Sequence, residues 1–182
     1  MSNLNGNAAI HFVERNRVRL KDKPAFVEGH LGGRSLTYGD LAEQSDRMAD
    51  LYLRHNIRRE DRAAMLVLDC IEFPAIFWGS LKAGVIPIPL NTLLATDIYD
   101  AILKDSRARI LFVSDALLPV VQPILAGNPF LEKVIVIGAS GPYLGFADEL
   151  AASAPCKMVE ASQDETAFWL YSSGSTDQPK GV

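Results

Sequence analysis

The sequence has only two cysteines and three histidines in its 182 residues. Cys70 and Cys156 lie far apart, without a CxxC spacing or a histidine at ligand spacing, so we expect two reduced thiols and no disulfide framework. His11, His30 and His55 are scattered in the same way, which favours surface or capping roles over catalysis. The sequence therefore predicts no metal site.

An excess of basic charge is also missing. The 22 acidic residues outnumber the 18 basic ones and give a net charge of -4, which argues against binding to a nucleic-acid backbone. The first seven residues are polar and uncharged, unlike a secretory signal. The most apolar stretch, from Phe73 to Leu90, is broken by Lys82 and by prolines and glycines, so it does not resemble a membrane-spanning helix. We expect a cytoplasmic protein without a membrane span.

What the sequence does contain is a hydrophobic content of 48%, enough for the core of one globular domain. Short apolar runs alternate with helix-length segments. We predict buried strands at Ala63 to Leu68, Val85 to Leu90, Arg109 to Ser114, Lys133 to Ile137 and Ala167 to Ser172. We predict sheet-core positions at Leu66, Leu68, Ile86, Ile88, Leu111, Val113, Ile135 and Ile137.

The helices are marked by capping residues and by apolar spacing. Thr37 and Asp40 resemble a capping box and predict a helix from about Tyr38 to His55. Further helices are predicted at Phe73 to Ala83 with Gly84 at its end, Asp97 to Ser106 capped by Thr96, and Ala116 to Ala126 capped by Asp115. A short hairpin is predicted from Ala25 to Thr37, and an irregular surface connection from Gly138 to Asp164. Strand and helix alternate, which predicts an α/β fold with a mostly parallel sheet and helices on both faces.

The chemistry lies at the end of the chain, where an apolar run enters a loop of hydroxyls, glycines and one lysine, Lys180. Such a loop suits a triphosphate because glycine lets the backbone come close, while hydroxyls, amides and the lysine meet phosphate oxygens. The loop is not a Walker loop, since Lys180 follows Pro179 and precedes Gly181, and this argues against a phosphate-loop hydrolase. The residues alone leave open a solvated surface turn.

The run from Tyr171 to Thr176, followed by Pro179-Lys180-Gly181, resembles the phosphate-loop signature of the acyl-adenylate-forming superfamily. Two upstream segments agree in order and spacing, Leu36 to Leu41 and Leu81 to Asn91. These two segments support the fold, as a capped helix and a helix-glycine-strand junction, and not the chemistry.

The resemblance implies that the chain is the N-terminal α/β subdomain of a larger adenylation domain, cut off within the loop at residues 172–182. It implies binding of the β- and γ-phosphates of ATP by Ser173, Gly174, Ser175, Thr176, Lys180 and Gly181. It also implies Mg²⁺, CoA and a carboxylic acid as partners of the full-length enzyme, with no catalytic residue in this part. We expect this part alone to be inactive.

Within the superfamily the sequence looks most like benzoate-CoA ligases, on residues Asn7 to Asn16, Pro87 to Leu94 and Trp169 to Tyr171. Hydroxybenzoate, chlorobenzoate or a short aliphatic acid remain alternative substrates. The competing function is a non-catalytic folding or interaction module whose terminal loop is only surface. One departure from the signature is Asp177, at a position normally held by glycine, whose carboxylate would repel a nearby triphosphate.

Overall fold

The computed structural model describes residues 6–30, 32–173 and 179–182. Within these residues the helices are α1 (Ala9–Phe12), α2 (Tyr38–Arg54), α3 (Glu72–Ala83), α4 (Thr96–Ser106), α5 (Leu118–Leu125) and α6 (Phe146–Ala151). The strands are β1 (Pro24–Val27), β2 (Ser35–Thr37), β3 (Arg62–Leu66), β4 (Ile86–Pro89), β5 (Ile110–Ser114), β6 (Lys133–Ile137), β7 (Leu144–Gly145), β8 (Tyr171–Ser173) and β9 (Pro179–Gly181). In this part of the chain no helix is long and apolar enough to cross a membrane.

Five of the strands form one parallel sheet in the order β4-β3-β5-β6-β7. Helices α3, α4 and α5 each connect one strand of this sheet to the next along the chain, as parallel pairing requires. Ala64 in β3 is paired with Ile88 in β4 on one side and with Leu111 in β5 on the other. The predicted parallel sheet with flanking helices is therefore confirmed.

The sheet is buried on both faces, because successive side chains of a strand point to opposite sides. In β5, Ile110 and Phe112 pack with α2, α3 and α6, whereas Leu111 and Val113 pack with α4 and α5. Of the eight predicted core positions, Ile137 is half-buried, and Leu68 is 41% exposed because β3 ends at Leu66. The prediction for Leu68 was wrong, and the other six are buried.

The caps of α2 and α3 are those predicted from the sequence. The Thr37 hydroxyl accepts the Asp40 N–H at 3.1 Å, and the Asp40 carboxylate accepts the Thr37 N–H at 3.2 Å. Gly84 ends α3 with a φ of 72°, a left-handed conformation that glycine adopts without a steric penalty. The predicted hairpin before α2 is also present, as the antiparallel pair of β1 and β2.

Two predicted helix caps were wrong. Thr96 is the first residue of α4 and its hydroxyl donates to the carbonyl of Val120. Asp115 instead begins a short 3-10 turn, Asp115–Leu117, and α5 starts after it at Leu118. The Asp115 carboxylate accepts the N–H of Ala116 at 2.7 Å and that of Ala139 at 2.8 Å, so it ties two loops together and caps no α-helix.

Two further predictions failed near the end of the chain. The segment from Gly138 to Asp164, expected to be irregular, contains β7 and α6, and β7 is the fifth strand of the parallel sheet. The run from Ala167 to Ser172 does not join that sheet. Its last residues belong to β8, which pairs with β9 in a separate antiparallel hairpin.

Candidate functional site

The candidate site is the terminal hairpin, formed by β8 (Tyr171–Ser173) and β9 (Pro179–Gly181). The paired residues are Tyr171 with Gly181, Ser172 with Lys180 and Ser173 with Pro179. The pairing continues to Leu170 and Val182, each of which donates its N–H to the carbonyl of the other at 2.8–2.9 Å. The hairpin thereby closes a loop whose two ends are held side by side.

The structure brings three of the six predicted phosphate-binding residues onto this hairpin. Ser173 lies on β8, and Lys180 and Gly181 lie on β9. The Lys180 side chain is exposed to solvent. The other predicted residues, Gly174, Ser175 and Thr176, lie outside the described residues, as does Asp177.

The hairpin lies near the amino-terminal ends of β3 and β4 in the parallel sheet. Just before the hairpin, the Trp169 N–H donates to the carbonyl of Pro87 in β4 at 3.1 Å. Trp169 and Tyr171 both pack against the hydrophobic cluster that α4 and α5 form on one face of the sheet. In open α/β sheets ligands usually bind at the carboxyl ends of the strands, whereas this hairpin packs near their amino-terminal ends.

A side-chain hydrogen bond joins the hairpin to α4. The Tyr171 hydroxyl donates to the Asp105 carboxylate at 2.6 Å across a separation of 66 residues. Burial and this hydrogen bond raise the pKa of Tyr171 above its usual range. The phenol therefore keeps its proton and remains a donor at neutral pH.

A cavity of about 410 Å³ opens beside the approach to the hairpin, with Trp169 and Arg62 among its lining residues. Each guanidinium nitrogen of Arg62 donates to a backbone carbonyl. The acceptors are Ser106 at 2.8 Å, Glu60 at 3.0 Å and Arg107 at 3.3 Å. The arginine thus fastens the end of α4 to the start of β3, and this is a structural role.

The sequence reasoning missed Asp105. This residue lies within the predicted helix from Asp97 to Ser106 and is exposed, so no local pattern distinguishes it from its neighbours. Its partner Tyr171 belongs to the loop signature, but the pattern gives no reason for its hydroxyl to have a specific acceptor. The pairing could only be found from the tertiary structure.

Comparison with known proteins decides the family. A sequence model of the family described as "AMP-binding enzyme" matches residues 13–182, nearly the whole chain and the entire terminal hairpin. The chain belongs to the AMP-binding enzyme family. This agrees with the resemblance that the loop signature indicated.

Among the relatives of this family member is a 4-hydroxybenzoate-CoA/benzoate-CoA ligase of Rhodopseudomonas palustris, 39% identical over 179 residues. A benzoate-CoA ligase of Thauera aromatica is 41% identical over 182 residues. Each match covers 97% of this chain and 33% of the relative. The chain therefore spans about a third of the length of the curated relatives that it matches.

The fold is also found in solved structures. The anthranilate CoA ligase AuaEII, crystallised in complex with anthranoyl-AMP, superposes with a TM-score of 0.89 at 29% identity. That match covers 100% of this chain and 34% of the ligase. The arrangement of sheet, helices and hairpin described above is therefore one that a known ligase contains within a longer chain.

Proposed function

We propose that residues 1–182 form the N-terminal α/β subdomain of an ATP-dependent acid-CoA ligase, with its phosphate-binding loop at residues 172–182. The observation that carries this proposal is the terminal hairpin within the family match. It holds Ser173 and Lys180, which flank the hydroxyl-rich loop, on two paired strands. The pairing places the backbone of Lys180 opposite that of Ser172, at one end of this loop.

The reaction we propose begins with an acid that is inert toward thiols, because displacement by a thiolate would have to expel an oxide. A carboxylate oxygen attacks the α-phosphorus of ATP. The new O–P bond forms as the bond to the β-phosphate oxygen breaks, and pyrophosphate leaves. In the second half-reaction the CoA thiolate attacks the acyl carbon, the bond to AMP breaks, and the thioester and AMP result.

In this mechanism the residues of this chain act by position and charge. Ser173, Gly174, Ser175, Thr176, Lys180 and Gly181 hold the β- and γ-phosphates, and the Lys180 ammonium offsets charge that collects on the departing pyrophosphate. Among the described residues no group of three His, Cys, Asp or Glu side chains could hold a metal ion, so we assign Mg²⁺ to none of these residues. We likewise assign the CoA and acid sites to no residue here.

We propose an aryl acid such as benzoate as the substrate. The support is the activity for which the relatives are named, since two of them are benzoate-CoA ligases at 39% and 41% identity. A relative at 32% identity is a long-chain-fatty-acid-CoA ligase, FadD13 of Mycobacterium tuberculosis. A comparison of acids is therefore part of the test.

The test measures pyrophosphate release from ATP and CoA with benzoate, 4-hydroxybenzoate, chlorobenzoate or a short aliphatic acid. The protein assayed is the one in which this chain continues to the length of its relatives, with the 182-residue chain in parallel. We expect release with benzoate from the longer protein and none from the 182 residues. Turnover of aliphatic acids alone would contradict the aryl substrate, and release by the 182-residue chain would contradict its inactivity.

Two substitutions in the loop should change ATP affinity in opposite directions. If Asp177 faces the phosphates, we expect Asp177→Gly to tighten ATP binding about tenfold, because the repulsion between its carboxylate and the triphosphate is removed. Lys180→Ala should weaken binding by about the same factor. The measurement is the Kd for ATP in the longer protein at low salt.

Asp177→Asn is the matched control for this pair of changes, since it keeps the shape and turn preference of aspartate but removes the charge. It should recover most of the gain seen with glycine. Lys157→Ala removes an exposed lysine outside the hairpin and should leave ATP affinity unchanged. Unchanged affinity in both Asp177 variants would mean that this carboxylate faces solvent.

A further inference from the structure

The hydrogen bond between Tyr171 and Asp105 is the starting point. A phenol donating to a carboxylate at 2.6 Å is a charge-assisted hydrogen bond, which is among the stronger kinds in proteins. Tyr171 is the first residue of β8, two positions before Ser173. The bond therefore ties the strand that enters the loop to a fixed acceptor outside the hairpin.

The ring of Tyr171 also covers the other strand. A Cβ added at Gly181 would lie 3.2 Å from Cζ and 3.4 Å from the hydroxyl of Tyr171, so the ring rests on the backbone of β9. Gly181 is the partner of Tyr171 in the hairpin register and is next to Lys180. The ring therefore contacts the strand that carries the lysine.

The helix that carries Asp105 is itself firmly held. Tyr99, Ile102 and Leu103 of α4 are fully buried in the core beside the sheet. Arg62 binds the carbonyls of Ser106 and Arg107 directly after Asp105. The carboxylate therefore projects from a rigid element, as a residue must if it is to position another.

We infer that Asp105 is a positioning residue for ATP: it holds the Tyr171 ring against β9 and thereby fixes Lys180 where the triphosphate binds. Asp105 acts through Tyr171 and does not touch ATP. The ATP part of this inference rests on the proposed function. The anchoring of the hairpin by Asp105 is independent of it and can be measured separately.

The first experiment is kinetic and uses the longer protein. We expect Asp105→Ala to raise KM for ATP about fivefold, because a hydrogen bond to a charged group is lost at the hairpin. We expect KM for the acid to stay unchanged, because neither Asp105 nor the hairpin is assigned to the acid. Tyr171→Phe should give the same change, because both substitutions remove the hydrogen bond between Asp105 and Tyr171. For the same reason the double variant should bind ATP no worse than either single variant. Asp105→Asn keeps an acceptor oxygen and should restore most of the affinity.

Asp100→Ala is the matched control. Asp100 lies on the same helix and is paired with Lys104 at 2.6 Å instead of with the hairpin, so its loss should not change KM for ATP. An Asp105→Ala enzyme with normal KM for ATP, or an additive effect in the double variant, would overturn the inference.

The second experiment measures the anchor without activity, by hydrogen exchange in the 182-residue chain. The amides of Leu170 and Val182 bond to each other's carbonyls at the base of the hairpin. We expect Asp105→Ala to accelerate their exchange about fivefold, with the amides of β5 unchanged, since local opening is separate from global unfolding. Unchanged exchange at Leu170 and Val182 would overturn the anchor. Faster exchange in the 182-residue variant, together with no pyrophosphate release by the longer wild-type protein, would keep the anchor and refute the proposed function.

Discussion

Lys82→Met will lower the free energy of unfolding by about 3 kcal/mol, because it removes the cation of a buried ion-pair network. Lys82 is 0% exposed, and its ammonium donates to the Asp46 carboxylate at 2.7 Å and to the carbonyl of Ala42 at 3.2 Å. It also forms an ion pair with Glu14. The network joins α2, α3 and the turn that carries Glu14.

The size of this effect depends on what remains after the lysine is gone. Removal of one partner of a buried pair costs about 3 to 5 kcal/mol when the other charge is left uncompensated. Here Arg17 still contacts both carboxylates, of Glu14 and Asp46. We therefore expect the lower end of that range.

The measurement is urea unfolding of the 182-residue chain. The unfolding free energies of wild type and variant are compared provided that their m-values agree. Lys104→Met is the matched control, because Lys104 forms an exposed ion pair with Asp100 one helical turn away. Its loss should cost about 0.3 to 0.5 kcal/mol. Equal losses in the two variants would show that the buried network contributes no more than a surface pair.

The network also predicts a pH dependence. Burial opposes ionisation of Glu14, but hydrogen bonds from Arg17 and Lys82 outweigh it and lower the pKa of this carboxyl. A lowered folded-state pKa means that the stabilisation is fully present above the usual glutamate pKa and is lost as the pH falls through the folded value. The difference in stability between wild type and Lys82→Met should shrink in acid accordingly.

Gly79→Ala will destabilise the chain by about 2 kcal/mol, although alanine favours helices, because α2 and α3 touch at this residue. An added Cβ would lie 2.3 Å from Cβ of Met48, 2.7 Å from its Cγ and 3.1 Å from the carbonyl oxygen of Ser45. A Cβ is fixed to the backbone, so the helices would have to separate. Separation would also strain the bond between Tyr52 and Ser80, at 2.6 Å.

The two contributions have opposite signs and the clash should be the larger. Replacing glycine by alanine in a helix interior stabilises a protein by about 0.5 to 1 kcal/mol. Overpacking of a close contact typically costs about 1 to 3 kcal/mol. Here the added Cβ would be closer to Met48 than real Cβ atoms come to their neighbours. Gly127→Ala is the control, since a Cβ added there would lie 3.9 Å from its nearest neighbour, the Ile124 carbonyl oxygen. Denaturant midpoints should fall for Gly79→Ala and stay or rise for Gly127→Ala; a stable Gly79→Ala chain would contradict the close packing of α2 on α3.

Much of the fold could be predicted from local patterns. The boundaries of α2 and α3 follow from Thr37, Asp40 and Gly84, whose side chains or backbone act within a few residues of their own position. Strand β6 was predicted with its exact ends, Lys133 and Ile137, because its apolar run is bounded by polar or glycine residues. In contrast, β7 has two residues, too few for any periodicity to show.

The candidate site was predictable as a set of residue types but not as an arrangement. The hydroxyls, glycines and lysine of the loop suit either phosphate binding or a solvated surface turn, and the resemblance to the family, with which the family match agrees, favours phosphate binding. The apolar run before the loop looks like a buried strand, yet β8 pairs with β9 instead of with the sheet. An apolar run by itself does not determine which strand will be its partner.

The sequence by itself determined the alternation of strands and helices, the ends of the principal helices and the family, because each depends on residues close together in the chain. The tertiary structure alone decided the order of the sheet, the burial of Lys82 beside Asp46 and the bond from Tyr171 to Asp105. The two side-chain pairs join residues that lie 36 and 66 positions apart in the chain. Such groups meet only when the two faces of the sheet are covered, since the burial of apolar surface, and not any local signal, brings together the helices and the strand that carry them.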